Sequence, residues 1–488
     1  MKRKVIIFLV ALCLGTSYSN AQNEVDVLRY SFLDWQGMSS RSAGMAGSFG
    51  ALGADLSSFS INPAGVGLYR RGDFGITLGI SGIANESTYS DDLHNDFSLA
   101  AGVHSLGFVS SNITQSSDWK RVNFGVAYNR LATFKEQITA TGSMNNRSLL
   151  DQFVAQANGT PGDQLYLAFP YDAGLAWDTY LINPIDSTDN EYDHVISGQV
   201  NQMQVIERSG NLAETAFAVG ANYRDRLYLG GALAFPRINY TEESSYTEYT
   251  TEEDLELDHF TFAETFNVSG SGFNAKLGAI FKATDWLRVG ISGQTPTWFS
   301  ITESFSRDMT SVFKGEAPYD ASTDIVANYY RIRTTYRLGG SAAFVLGKAG
   351  VVNADYEFVN YATGKLGNTR NVLSSYDFTA ENQAISAIYR PAHNVRVGTE
   401  FRIGKPFRIR AGVGYQQSAY VNGAVTDNPA VFTYAGGLGY RGLHFYADIS
   451  YTQKQEFSEY YMFNPDLVEP IKIKSGTGQF LMSCGFRF

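Results

Sequence analysis

The sequence predicts an all-β chain: a transmembrane antiparallel β-barrel of about fourteen strands. Three observations carry this. Segments of eight to ten residues alternate apolar with small or polar side chains, and alternation of period two is the signature of a strand with two different faces. Aromatic residues make up 14% of the chain and charged residues only 18%, with 48 glycines. After the first twenty residues no run approaches the roughly 20 apolar residues of a membrane helix.

The C-terminal segment shows the alternation most clearly. Phe480, Met482, Cys484, Phe486 and Phe488 are apolar, while Leu481, Ser483, Gly485 and Arg487 lie between them. The same pattern recurs at Leu443–Tyr451, Val395–Ile403, Val352–Phe358 and Val122–Tyr128. Charged residues on the second face, such as Asp355, Glu357, Arg396, Glu400 and Arg402, are costly against lipid but tolerated in a wet lumen. Strands are expected near 73–82, 96–111, 119–136, 198–223, 226–242, 260–282, 286–304, 326–347, 349–361, 393–404, 406–421, 431–440, 442–455 and 475–488. Trp286 and Trp298 stand twelve residues apart, roughly 40 Å along a strand and near 30 Å vertically at a tilt of about 40°, which suits the two interfaces of a bilayer. Tyr223–Arg226, Ala283–Asp285 and Leu346–Lys348 are short enough to be turns at the periplasmic end. Longer connections are expected on the extracellular side near 138–197, 243–258 and 305–325. The first contains helix-like pieces near 147–157 and 164–181. The second carries seven acids, including Glu252, Glu253, Asp254, Glu256 and Asp258, and reads as a solvated loop.

The N-terminus carries an export address. Lys2, Arg3 and Lys4 precede an apolar run from Val5 to Leu14, and Ser19-Asn20-Ala21 is a small-residue cleavage pattern, so residues 1–21 read as a signal peptide. Cleavage removes three basic groups, taking the formal charge from -10 to about -13. That balance disfavours nucleic acid as a partner, because phosphate contacts need clustered Lys and Arg. One cysteine then remains, Cys484, which excludes an intramolecular disulfide and a cysteine metal centre. No Gly-x-Ser-x-Gly or His-Glu-x-x-His occurs, and the six histidines sit in no catalytic spacing. No catalytic residue, metal site or cofactor is expected.

Residues 22–70 do not read as barrel. Val25–Trp35 has the spacing of a short helix. Ser39–Gly53 is built of small residues with glycine at 44, 47, 50 and 53, which lets a backbone pack closely against a wall. It lacks the Gly-Lys-Ser/Thr ending of a phosphate loop. Then follow Asn62-Pro63-Ala64-Gly65 and, from Asp73, the first strand.

This layout resembles the FadL/TodX family of outer-membrane channels for long-chain fatty acids and aromatic hydrocarbons. The resemblance runs through the whole chain: export signal, small-residue N-terminal segment, the Asn62-Pro63-Ala64-Gly65 turn, fourteen strands and a terminal aromatic. It implies that residues 22–70 form a hatch, or plug, inside a barrel of residues 71–488. It implies further that a hydrophobic ligand caught by the outer loops leaves sideways through a kink in the third strand. Gly125 is the candidate kink there, and Pro236 and Pro296 are rival interruptions of the wall. Phe486 and the terminal Phe488 resemble the signal read by the barrel assembly machinery. Expected partners are a hydrophobic small molecule and outer-membrane lipid, with a monomeric barrel in the bacterial outer membrane. The charged inward-facing residues leave an alternative open: a FadL-like barrel that serves as a protein-export or partner-binding scaffold, as PorV does.

Overall fold

The computed structural model describes residues 38–185, 190–251, 256–369, 376–421 and 430–488. The expected signal peptide, the Val25–Trp35 helix and the acids Glu252, Glu253 and Asp254 lie outside the described residues. The strands, in chain order, are β1 (Asp73–Tyr89), β2 (Asp92–Ile113), β3 (Trp119–Thr133, continued by Glu136–Asn145), β4 (Gln199–Tyr223), β5 (Leu227–Thr250) and β6 (Leu257–Lys282). Next come β7 (Leu287–Gln294 and Trp298–Phe313), β8 (Tyr319–Ser322, Val326–Arg333 and Arg337–Leu346), β9 (Gly350–Asn360 and Lys365–Asn368) and β10 (Pro391–Ile403). The last are β11 (Phe407–Gln416), β12 (Val431–Arg441), β13 (Phe445–Tyr460) and β14 (Ile471–Arg487). Each pairs antiparallel with its successor, and β14 pairs with β1 from Asp73↔Arg487 to Thr88↔Lys472. The wall is therefore a closed barrel of fourteen strands with no free outer edge at the seam.

Alternation sorts the faces as the sequence predicts. On β14, Phe480, Met482 and Phe486 are exposed while Leu481 and Ser483 are buried. On β1, Phe74, Leu78 and Ile80 point out while Thr77 and Ser81 point in. The result is an apolar outer band, stable in hydrocarbon because every strand satisfies its backbone groups within the barrel. Trp286 stacks on Phe344 and Trp298 on Phe273, both pairs on the outer face, one at each end of the band. No helix among the described residues is long and apolar enough to cross a membrane.

One end of the barrel has tight turns. At 223–227, Arg224 and Asp225 adopt φ of 53° and 54°, the left-handed pair at the centre of a turn that the Arg226 N–H closes on Tyr223 O at 3.0 Å. The Asn222 side chain accepts the Asp225 N–H at 2.9 Å. The other end carries the long connections. Helices α3 (Leu149–Ala157), α4 (Gly162–Ala168) and α5 (Ala173–Asp178) lie between β3 and β4, in the two stretches expected to be helical. Helix α6 (Thr379–Ile388) lies between β9 and β10.

Two expected loops are instead wall. Residues 243–250 continue β5, and residues 305–313 continue β7 and pair with β6. Strands β4, β5 and β6 run 25, 24 and 26 residues, against 10 for β11, so the wall rises higher on one side. Above the band the outward positions of β5 become polar (Arg237, Asn239, Thr241, Glu243). Glu242 and Glu248 face inward, where Arg208 binds the first at 2.6 Å and Ser148 donates to the second at 2.5 Å. Of the described acids in the expected loop 243–258, Glu248 lies on the inner face of a strand, while Glu243, Glu256 and Asp258 are exposed.

A barrel this wide has a lumen that must be filled or wet. At the turn end it is occupied by residues 38–69. The segment folds as α1 (Ser40–Ala43), α2 (Ser58–Ile61) and a 3-10 helix, Pro63–Leu68. Above it, an apolar layer joins Met38 to Tyr240, Phe299, Tyr330 and Ile332 of the wall and to Ile385 and Tyr389 from α6 and its C-terminal end. At the loop end a second layer packs α3–α5 against Ile138, Val200, Tyr246, Phe260 and Met309.

Candidate functional site

Asn62 sets the local geometry of the N-terminal segment. Its Oδ1 accepts the Ala64 N–H at 3.1 Å, capping the 3-10 helix, and Pro63 follows at the first helical position, where no N–H is needed. Its Nδ2 donates to Gly50 O at 2.7 Å and to Ile291 O of β7 at 3.3 Å. The Asn62-Pro63-Ala64-Gly65 turn thus joins the two limbs of the segment to each other and to the wall. Gly65 O closes the fold by accepting the Ala54 N–H at 3.0 Å. Ala64 is fully buried against Tyr228 and Ile280.

The wall fits this backbone closely. A side chain at Gly230 of β5 would overlap the Pro63 carbonyl, and one at Gly412 of β11 the Met45 backbone. On the polar side, Asp355 of β9 accepts the Phe49 N–H at 2.7 Å and the Gly50 N–H at 3.0 Å. Asn123 and Asn129 of β3 donate to Val66 O at 2.8 Å and Leu56 O at 3.2 Å. Arg41 supplies the segment's one ion pair to the wall among the described residues, with Nε 3.0 Å from Glu400 of β10. Its Nη1 reaches back to Gly53 O at 3.3 Å. Burial works against the Arg41 charge, but the Glu400 carboxylate outweighs it and raises the guanidinium pKa. Glu400 also accepts Arg410 Nε at 2.7 Å, and Arg410 continues to Asp448 at 2.7 Å, which Arg441 binds at 2.6 Å. Asp355 and Glu400 are therefore used in seating the N-terminal segment, while Glu357 pairs with Arg337 of the wall at 3.3 Å. Arg402 stands apart, exposed near the turn end.

The third strand is broken, but not at Gly125. Pairing runs in register through Gly125 to Val109 on one side and Ala218 on the other. Its missing side chain makes room for Phe59, whose Cζ would lie 2.7 Å from an added Cβ. The break lies higher. Pairing of β3 with β2 stops at Asn129↔Ser105, the register to β4 shifts between Arg130 and Ala132, and the strand is interrupted at residues 134 and 135. Beyond it Glu136–Asn145 pairs only with β4, so β2 from Asp92 to Val103 has its ladder partner on one side alone, β1. Side chains bridge part of the gap. Asp96 accepts the Thr139 N–H at 2.6 Å, His94 meets Thr141 Oγ1 at 2.6 Å, and Asn85 donates to Gln137 O at 2.6 Å.

A cavity of about 310 Å³ opens inside the barrel at this break. It is lined by residues 130–136 and by Ile83, His104, Tyr240 and Phe457. A second cavity, of about 170 Å³, lies at the loop end under α3. Its lining includes Phe153, Tyr246, Phe262, Phe305, Met462 and Phe463, with Arg307 held by Glu264 and Asp172. A third, of about 30 Å³, lies against the N-terminal segment among Lys276, Arg337, Asp355, Glu357 and Arg396 and is polar.

The two prolines do interrupt the ladder. Pro236 keeps its place opposite Glu214 but falls in a gap between β5 and β6, where pairing stops at Ala234 and resumes at Arg237. Pro296 sits between the two pieces of β7, and the register to β6 changes by one residue across it, from Gln294↔Lys276 to Trp298↔Phe273. Both follow from the missing N–H of proline. Neither lines the cavity at residues 130–136. Phe486 packs on Phe445 at the turn end, and Phe488 stacks on Phe108 at 5.7 Å, with its N–H donated to Gly72 O at 3.0 Å.

No protein-family profile matches the chain, and no curated protein matches its sequence. Solved structures do match its fold along nearly its whole length. The monoaromatic hydrocarbon channel CymD superposes with a TM-score of 0.50 at 13% identity, covering 94% of this chain and 99% of its own. A Pseudomonas aeruginosa FadL homologue gives 0.55 at 11% identity over 92% and 98%. The Pseudomonas putida toluene transporter TodX gives 0.54 at 13% over 93% and 99%. At such identities the likeness establishes the fold.

Proposed function

We propose that this chain is an outer-membrane channel for the uptake of hydrophobic compounds such as long-chain fatty acids, with exit through the barrel wall. The observation that carries the proposal is the coincidence of the β3 break, the one-sided β2 ladder and an internal cavity of about 310 Å³. The aromatic cavity at the loop end is the entry site, and the loop end faces outward. The cavity at residues 130–136 is the exit site. Residues 38–69, seated beneath both, are the plug that closes the aqueous route to the turn end. A ligand that stays out of water keeps about 0.8 kcal/mol per buried methylene, so a sideways path into lipid suits it better than an open pore. The names of the fold neighbours, channels and transporters for monoaromatic hydrocarbons and toluene, point the same way. Phe488 and Phe486 serve assembly of a monomeric barrel.

The test is extraction and mass spectrometry of lipid from the purified barrel, with displacement of a fluorescent fatty acid. Saturable displacement, weakened by Ala132→Trp, supports the proposal. A barrel that carries no lipid, displaces no probe and co-purifies with exported proteins would be the scaffold instead.

A further inference from the structure

The outer face of β8 and β9 carries a feature that neither the lumen nor the lipid-facing band accounts for. Tyr330, Ile332 and Leu366 point inward into the apolar layer, so Arg331, Arg333 and Lys365 point outward. Register places them together: Arg333 lies opposite Lys365 on β9 and opposite Trp298 on β7, and Arg331 lies opposite Ser300. Directly opposed residues on one face have Cβ atoms about 4.5–5.5 Å apart. Ser300 continues the row through Ser271 of β6 to Arg237 of β5. Among the described residues no carboxylate lies within ion-pair distance of Arg331, Arg333 or Lys365, and Arg333 has only the Thr363 carbonyl, at 3.4 Å. Two other outward cations near the barrel ends do have partners: Lys474 has Glu86 and Arg224 has Asp118.

The level of the cluster identifies its ligand. Immediately below it on the outer face are Trp298, stacked on Phe273 at 5.1 Å, and the exposed Tyr336 and Leu338. These mark the boundary where the apolar band ends and lipid headgroups begin. Three like charges at that boundary repel one another and cost stability unless an anion sits among them. Guanidinium groups bind phosphate oxygens in a fixed fork, and lysine adds a point charge. We propose that Arg331, Arg333 and Lys365 bind the phosphate of a phosphorylated lipid in the leaflet at the loop end, its acyl chains lying along Trp298, Phe273 and Leu338. The site is on the outside of the barrel and is independent of transport through the lumen.

The full-length barrel in neutral detergent is titrated with bisphosphoryl lipid A, and bound lipid is counted by native mass spectrometry. At about 1 kcal/mol per basic residue, the triple variant R331Q/R333Q/K365Q should bind on the order of 100-fold more weakly, while K474Q binds as wild type. Heat-modifiable gel mobility verifies the fold of each variant, and R333Q alone serves if the triple variant does not assemble. Equal binding by wild type and a folded triple variant would overturn the proposal. So would equal binding of the lipid after its phosphates are removed, or complete displacement by inorganic phosphate, which would make the cluster a site for the free ion.

Discussion

Replacement of Arg41 by leucine isolates the ion pair that ties the N-terminal segment to the wall. Arg41 makes two bonds to Glu400, at 3.0 and 3.3 Å, and one to Gly53 O at 3.3 Å, and covers the Phe49 ring at 5.0 Å. Breaking a buried pair costs about 3–5 kcal/mol when the remaining charge is stranded. Glu400 is not stranded, because Arg410 still bonds it at 2.7 Å, so the loss should fall near 2–3 kcal/mol, the range of hydrogen bonds to charged groups. Glu400→Leu should cost more, about 3–5 kcal/mol, because it deprives two buried guanidinium groups at once. The double variant should recover at least about 1.5 kcal/mol relative to the sum, since the two residues touch. The assay is reversible urea unfolding in phospholipid vesicles, alongside single-channel conductance in a planar bilayer. Arg41→Leu should show open events absent from wild type, as the limb from Ser39 to Leu52 loosens. Additive single effects with unchanged conductance would refute the reasoning, because the pair would then hold nothing in place.

Other consequences follow from close packing. Gly230→Val and Gly412→Val drive a side chain into the backbone of residues 63 and 45, and overpacking of this kind costs about 1–3 kcal/mol. Gly340→Val, where an added Cβ meets nothing within 4 Å, should leave stability within about 0.5 kcal/mol of wild type in the same urea experiment. Ala132→Trp fills the cavity at the β3 break and should lower fatty-acid displacement severalfold while unfolding as wild type does. Phe488→Ala removes the stack on Phe108 and should slow assembly into vesicles, read as a smaller heat-modifiable fraction after a fixed time, with little effect on the barrel once formed.

The barrel was legible because the outer face of each strand must be apolar for the height of the membrane, and alternation at Phe480–Phe486 or Phe74–Ile80 records that directly. Legibility ended where the membrane ends. Above Arg237 the outward face of β5 is polar, so Glu248, an acid on the buried inner face, resembled part of a solvated loop. The β3 break was harder still. It falls at Phe134 and Lys135, which carry no glycine or proline to betray it, and arises because β2 and β3 part company above Ser105 and Asn129. Gly125 lacks a side chain for another reason: the space serves Phe59, a relation between positions 66 residues apart in sequence. The Asn62 turn was visible as a motif because its caps are local. Arg41 stood in plain view within a run of small residues. A lone charge in such a run, together with unpaired inward acids on the strands, was the available signal for the ion pair with Glu400.

The most direct test of the proposed path is photolabelling with a diazirine derivative of hexadecanoic acid, followed by peptide mapping. The account predicts label on residues 130–136 and on the loop-end cavity at Phe153 and Phe262, suppressed by excess hexadecanoate. Label confined to the outer band, on residues such as Leu338 and Phe344, and indifferent to competitor would contradict it.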